Sequence, residues 1–440
     1  MIVMKFGGTS VESADAIRRV AGIVRDRLAQ RPVVVVSAMG KTTNKLLAIG
    51  AKAAAGDLTT ALQQTAELRA FHLHEASGCG VDGEINRHFD QLADLVKGLA
   101  VVGELTPRAT DAISAYGERL SSVIVTAHFQ NGEINAAHVD AREMIVTDGR
   151  HTQAVPRFEE TNEKLMAAIP ALAQTHVPVM GGFIGATMDG VTTTLGRGGS
   201  DYSASIVGAG IGAEEIQIWT DVDGMLTADP TILPGGRRVE TCSFAEAAEL
   251  AYFGAKVLHP ATVLPAIEKN IPVRILNSRR PEVEGTLIVS HPPASDQPIR
   301  SIACKRNITL VNIVSSRMLM AHGFLRRIFE VFDRHETSVD MLATSEVSVS
   351  LTVDNTRSLD AIRSEIESFA EVAIEKDHAI VCLVGENIRG CPQVSERVFR
   401  ALGGIKTRMV SQGASQLNIS LVVAARDLVP AVESLHDEFF

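Results

Sequence analysis

Up to about residue 289, two textures of apolar residues alternate along the chain. Short unbroken runs rich in β-branched residues, at 2–4, 33–36, 177–180, 215–220 and 273–276, have the length and composition of buried strands. Between them apolar residues recur every three or four positions, as at Ile17, Val20, Ala21 and Val24, which predicts helices with one buried face. Further helices are predicted over 109–129, 202–209 and 245–252. Such alternation over this length is the pattern of an α/β domain whose sheet is mainly parallel and covered on both faces.

Residues 291–298, His-Pro-Pro-Ala-Ser-Asp-Gln-Pro, cannot continue a helix or a central strand and read as a linker. Beyond them the order changes. Strands are predicted at 308–313, 347–353 and 372–374, with helices at 324–335 and 359–369. A similar order then recurs, with strands at 379–384, 406–410 and 417–423 and helices at 394–402 and 428–439. Two βαββαβ-like units of ferredoxin-like pattern are expected in tandem.

Length and composition narrow the function. At 440 residues the chain is too long for one unit of about 150 residues. Aromatics are 4% of residues and the formal net charge is −10, which argues against a nucleic-acid or anionic membrane surface as partner. The five cysteines, Cys79, Cys242, Cys304, Cys382 and Cys391, are scattered without metal-site spacing, as expected of reduced thiols in the cytoplasm. No apolar stretch approaches the ~18 residues of a membrane helix, and the N-terminus reads as a strand running into a loop.

In this acidic chain, cations occur beside glycine-rich loops. Lys5 ends the first strand and is followed by Gly7, Gly8, Thr9 and Ser10, a loop that lets phosphate oxygens approach backbone N–H groups. The spacing is not that of a P-loop. After the run 33–36 come Ser37-Ala-Met-Gly-Lys-Thr-Thr43-Asn, small and hydroxylated residues at a strand's carboxyl end, where α/β sheets bind ligands. Arg197 sits among glycines in Gly196-Arg-Gly-Gly-Ser-Asp201, where a guanidinium can grip a carboxylate through two bonds. Ser200 or Asp201 reads as the cap of the following helix. Thr220, Asp221 and the residues to Pro230 follow another strand, and Lys256 follows a helix ending near Gly254. Each motif alone also fits an ordinary turn. Together they make a kit for phosphoryl transfer, which works by positioning and charge stabilisation.

Lys5-Phe-Gly-Gly-Thr-Ser10, Gly117-Glu-Arg-Leu-Ser-Ser122, Gly196–Asp201, Thr220-Asp221 and Phe253–Pro260, in this order, resemble the motif set of the aspartate kinases, and the resemblance covers the whole chain. It implies an amino-acid kinase domain (carbamate kinase-like, a parallel-sheet sandwich) over 1–290, a linker over 291–298, and two ferredoxin-like ACT domains. The first ACT domain would span 307–375. The second would span 376–440 and take in the strand 299–306. The implied reaction is ATP plus L-aspartate to ADP plus 4-phospho-L-aspartate, the first step toward lysine, threonine and methionine, by a monofunctional enzyme using ATP with Mg. A kinase of another acidic amino acid and a non-catalytic amino-acid sensor are the competing readings.

Residue by residue, the resemblance implies the following roles. Lys5 stabilises the transferring group beside Gly7 and Gly8. Ser37 lies on the phosphate side. Thr43, Glu118, Arg197 and Ser200 hold aspartate, Glu118 through its ammonium group and Arg197 through a carboxylate. Asp201 organises the centre. Thr220, Asp221 and Leu226 line the nucleotide pocket and Lys256 reaches its phosphates. No protein ligand for magnesium is named. Leu226 stands where several relatives carry tyrosine, and Thr231 where arginine is common. The segment 338–348 resembles the lysine-sensitive class and implies an L-lysine site at Met318, Phe324, Ser338, Val339, Asp340, Ser345 and Glu346 between two copies of the chain. Threonine is the alternative effector. Ala321 replaces a usual serine, a lost hydrogen bond worth ~1 kcal/mol. A homodimer or homotetramer joined through the ACT domains is expected.

Overall fold

The strands Ile2–Phe6 and Pro32–Val36 are buried at every position and run side by side in parallel, with Lys5 paired to Val35. Burial on both faces is why they read as unbroken apolar runs. The computed structural model describes residues 1–254, 260–293, 297–315, 322–386 and 388–440. The chain divides into two compact units, Met1–Met225 with Val257–Pro292, and Leu226–Lys256 with Pro293–Phe440.

In the first unit the strands lie in the order Ala136–Val139, Val177–Gly181, Pro32–Val36, Ile2–Phe6, Glu215–Thr220, Val273–Asn277, Thr286–Val289. All neighbours are parallel except the last pair. The chain moves outward on one side of Ile2–Phe6 and later returns on its other side with Glu215–Thr220. That reversal opens a crevice at the carboxyl ends of the central strands, where ligands bind in such sheets. Helices Ala14–Arg25, Thr42–Ala54, Leu58–Glu75, Asp82–Val102 and Tyr116–Asn131 share one core with the sheet, including Phe6, Met39, Phe89, Phe129 and Trp219.

Helix boundaries depart from the pattern in two places. The helix expected over 109–129 is two helices, Pro107–Ser114 and Tyr116–Asn131, divided at Ala115. The first starts early because Thr106 caps the N–H of Ala109 and Pro107 fits the first turn. The helix expected from 202 begins at Gly199 and is preceded by Gly198 at φ 71°. Ser200 and Asp201 are therefore within its first turn, and neither is its cap.

The second unit carries an antiparallel sheet in the order Leu342–Thr344, Ser348–Val353, Ser301–Val314, Glu371–Val384, Asn418–Ala424, Thr407–Gln412. Helices Phe324–Arg334 and Leu359–Ile366 pack over one half, and Pro392–Leu402 and Leu428–Phe439 over the other. The strands expected at 372–374 and 379–384 are one continuous strand. Ser301–Lys305 pairs with Ile380–Val384, so the segment before 307 lies in the distal half of the sheet. The polar residues that read as a break are absorbed by two successive register shifts, which contain Asn307 at φ 58° and Asp377 at φ 60°, residue types that tolerate this region.

By its packing, the segment Leu226–Lys256 goes with the second unit. Ala228 and Ile232 are buried with Ile299, Ile302 and Leu435. Ile302 N–H donates to the Thr227 carbonyl and Ser301 Oγ to that of Leu226. Helix Phe244–Tyr252, closed at its start by a Ser243–Glu246 capping box, binds Ser415 and Asn418 through Glu249. Among the described residues no helix is long and apolar enough to cross a membrane.

Candidate active site

Four loops leave the carboxyl ends of neighbouring strands and are stitched together by backbone bonds. Gly7 N–H donates to Trp219 O, Ser37 N–H to Phe6 O, Gly182 N–H to Val36 O, and Gly40 N–H to Gly8 O. Gly8 is confined by its neighbours: a Cβ there would lie 2.9 Å from the carbonyl oxygens of Ala38 and Gly40. The two Gly-containing turns thus pack backbone to backbone, leaving N–H groups beside a cleft of about 310 Å³.

Lys5, Gly8, Ser37, Thr43, Glu118, Ser200 and Asp201 line this cleft, so it gathers most of the residues singled out by sequence. Lys5 Nζ is 2.6 Å from Asp201 Oδ1, and both side chains are largely buried. Asp201 lies in the first turn of helix Gly199–Ile211, whose first three residues line the same cleft. The pair fixes the ammonium in place without removing it from the cleft.

Glu118 is 3% exposed. Its Oε1 accepts the Ala38 N–H at 3.1 Å, while Oε2 is buried without a hydrogen-bond partner among the described residues. Desolvation raises its pKa to about 8, against the opposing pull of the Ala38 N–H and of Lys5. A buried acceptor left open in a ligand-sized cleft calls for a donor from the ligand.

Other expected residues lie elsewhere. Gly7 is one residue outside the lining, and a Cβ on it would be 3.8 Å from Lys5 Nζ. Arg197 is exposed and outside the lining, on the loop between Gly196 and Gly198. Thr220 is half-buried at its strand's end and Asp221 exposed; Ser278 Oγ ties that end by donating to Thr220 O and sharing a 2.8 Å contact with Ser10 Oγ. Leu226 lies in the second unit. Lys256 lies outside the described residues.

Ala38 and Gly40, read only as part of the motif after the second strand, also line the cleft, and sequence reading missed Phe183 there. Phe183 sits at φ 65°, an unusual angle for an aromatic residue, held by Ser203 Oγ accepting its N–H. Its signal was available, since Met180-Gly181-Gly182 repeats the strand-then-Gly-Gly pattern of the first motif.

Of the expected effector residues, Met318 lies outside the described residues, as does Ala321. Phe324 opens its helix and packs edge-on against Phe369. Ser338 is exposed, Val339 half-buried, and Glu346 exposed on a turn where Ser345 Oγ is 2.7 Å from Ser348 Oγ. Asp340 is not a solvated acid. Its Oδ1 holds Lys305 Nζ at 2.5 Å, and Lys305 also meets Asp354 at 2.8 Å and lies 5.7 Å from the Tyr252 ring centroid. Burial raises the Asp340 pKa despite Lys305, and its Oδ2 is buried without a hydrogen-bond partner among the described residues.

The model of the amino acid kinase family matches residues 1–277, and that of the ACT domain matches 311–369 and 381–439. Aspartokinase 2, chloroplastic, of Arabidopsis thaliana is 40% identical, the match covering 100% of this chain and 84% of that protein. Lysine-sensitive aspartokinase 3 of Escherichia coli is 35% identical over 100% of this chain and 99% of that one. The chain belongs to the aspartokinase family. Among solved structures, E. coli aspartokinase III with lysine and aspartate superposes with a TM-score of 0.86 at 34% identity, covering 100% of this chain and 99% of that one. The same enzyme with aspartate and ADP gives 0.82, also at 34% identity and with 100% of each chain covered. This aspartokinase therefore shares both the kinase architecture and the paired ACT sheet of those relatives.

Proposed function

We propose that this aspartokinase transfers the γ-phosphoryl group of ATP to the side-chain carboxylate of L-aspartate in the cleft around Lys5, giving ADP and 4-phospho-L-aspartate. The observation that carries the reading is the pairing of Lys5 with Asp201 in the same cleft as the open Glu118 Oε2. One end of that cleft suits a phosphoryl group and the other an ammonium group. Lys5, with the N-terminus of helix Gly199–Ile211 and the loop at Gly7 and Gly8, stabilises charge on the transferring oxygens. Asp201 holds the ammonium of Lys5 in place. Glu118 takes the ammonium group of aspartate, Thr43 and Ser200 contact the amino acid, and Arg197 closes over a carboxylate. Ser37, Thr220, Asp221 and Lys256 serve the nucleotide. Magnesium enters with ATP as part of that substrate and neutralises its phosphate oxygens. ADP release measured with aspartate, with glutamate and without acceptor tests this reading. Turnover with aspartate alone supports it, whereas preference for glutamate or no turnover overturns it.

Arg197→Lys separates the two substrates. A guanidinium makes two parallel bonds to a carboxylate and an ammonium does not. The apparent KM for aspartate is expected to rise about tenfold, the equivalent of one charge-assisted bond, with the KM for ATP within about twofold. A rise confined to ATP would place Arg197 in the nucleotide site.

L-Lysine is the proposed inhibitor, bound near Asp340 where two copies of the chain meet. Val314, Leu325, Phe329, Leu342 and Val347 expose apolar surface in that half of the second unit, and Leu342–Thr344 is an edge strand of its sheet, features suited to pairing between copies. A homodimer or homotetramer follows. Activity measured against lysine, threonine and methionine, singly and in pairs, identifies the effector. Asp340→Ala is expected to raise the lysine concentration for half-inhibition at least about tenfold. Inhibition by threonine alone reassigns the effector, and an unchanged response in Asp340→Ala moves the site.

A further inference from the structure

Asp111, in helix Pro107–Ser114, is fully buried and is outside the lining of the cleft. Its carboxylate grips three groups distant in sequence. Oδ1 accepts the Thr194 hydroxyl at 2.5 Å and the Thr152 N–H at 3.0 Å. Oδ2 accepts His151 Nδ1–H at 2.7 Å and the same Thr152 N–H at 3.1 Å. Thr152 has φ 70°, a left-handed angle that a β-branched residue rarely adopts and that persists only when its surroundings enforce it. Two of the four bonds to Asp111 fall on the N–H of that residue.

The strained segment touches the first glycine of the arginine loop. Gly196 is at φ 78°, and a Cβ on it would stand 3.1 Å from the Thr152 carbonyl oxygen and 3.6 Å from the Gln153 side chain. Ala154 N–H donates to Thr194 O, and Leu195 N–H donates to the carbonyl of Phe183 in the cleft lining. A path of direct contacts thus runs from Asp111 through Thr152 and Thr194 to Gly196, the residue before Arg197 and five before Asp201. We propose that Asp111 is a positioning residue for aspartate capture: by holding Thr152 in its left-handed turn it fixes where the Gly196–Gly199 loop carries Arg197. This rests on the assignment of Arg197 to the aspartate carboxylate.

Asp111→Asn keeps the shape but replaces one acceptor with an NH₂ donor, which cannot accept from His151 or the Thr152 N–H. kcat/KM for aspartate is expected to fall on the order of 10²-fold, the loss that follows a displacement of about 1 Å, while the KM for ATP stays within about twofold. Thr152→Gly in the Asp111→Asn background supplies the left-handed angle without a Cβ penalty and is expected to recover about tenfold of that loss. A purely structural role for Asp111 would lower stability without this rescue. Thr194→Val, which removes a single hydroxyl, covers the case in which Asp111→Asn fails to fold, and should raise the aspartate KM severalfold. The proposal is overturned if Asp111→Asn folds with unchanged kinetics, if Thr152→Gly recovers nothing, or, should Asp111→Asn not fold, if Thr194→Val matches the wild type. A rise in the ATP KM instead would show that the loop serves the nucleotide, and would count against the Arg197 assignment.

Discussion

Lys5→Met lowers kcat on the order of 10³-fold and leaves the protein folded. Among the described residues the ammonium is the one positive side chain in the cleft lining, and it faces the Gly-Gly turn at a strand end. Removal of a preorganised charge that acts where charge develops costs this much in comparable sites. Methionine fills similar space along the buried stem. Asp201 Oδ1 is buried, but its side chain is 17% exposed, and once freed of its partner the carboxylate can take up a proton from the cleft instead of staying charged and unpaired. The fold is therefore expected to hold, with a melting temperature close to that of the wild type. Turnover is measured as ADP release at saturating ATP and aspartate. A kcat near the wild-type value would remove Lys5 from the transfer step.

Glu118→Gln is expected to cost roughly 10- to 100-fold in kcat/KM for aspartate, the worth of one charge-assisted hydrogen bond in a dry site. The pH profile gives a sharper test. With its pKa raised to about 8, Glu118 is neutral below that pH and a carboxylate above it. Only the carboxylate attracts an ammonium group. The wild-type kcat/KM should therefore rise with pH by up to about tenfold per unit below about 8, then level off, since this ratio reports groups of the free enzyme. In Glu118→Gln that rise disappears. Stability has the opposite sign. A carboxyl whose pKa is higher in the folded state than in the unfolded chain favours folding while protonated, and that advantage is lost as pH rises from about 4.5 through about 8. Glu118→Gln should accordingly melt no lower than the wild type at pH 8. A variant that keeps the pH-dependent rise, or that loses activity through lowered stability, would sink the role given to Glu118.

The parallel sheet was legible because fully buried strands read as unbroken runs. Lys5, Gly8, Ser37, Thr43, Glu118, Ser200 and Asp201 were legible because each sits in a motif at a strand or helix end. Asp111 was not. It lies in the middle of a short helix with no motif around it, and its significance comes from Thr152 and Thr194, 41 and 83 residues away. Only the fold brings them together. The location of 226–256 was hidden for a related reason. Its helix and strand patterns continue the preceding texture, and what assigns it to the second unit is the burial of Ala228 and Ile232 with Ile299 and Leu435. Asp340 was found as a residue but not as an ion pair, since Lys305 is far from it in sequence and adjacent only across the sheet.

Because Leu226–Lys256 is built into the second unit, the backbone passes between the units three times, after Met225, after Lys256 and after Pro292. The regulatory half is thus not a pendant hung from one tether. Cutting the chain within 291–298 would not release a self-sufficient kinase, since the fragment would keep 226–256 while losing the residues that cover its apolar side chains. The first of these passages comes shortly after Asp221, a residue proposed above to serve the nucleotide.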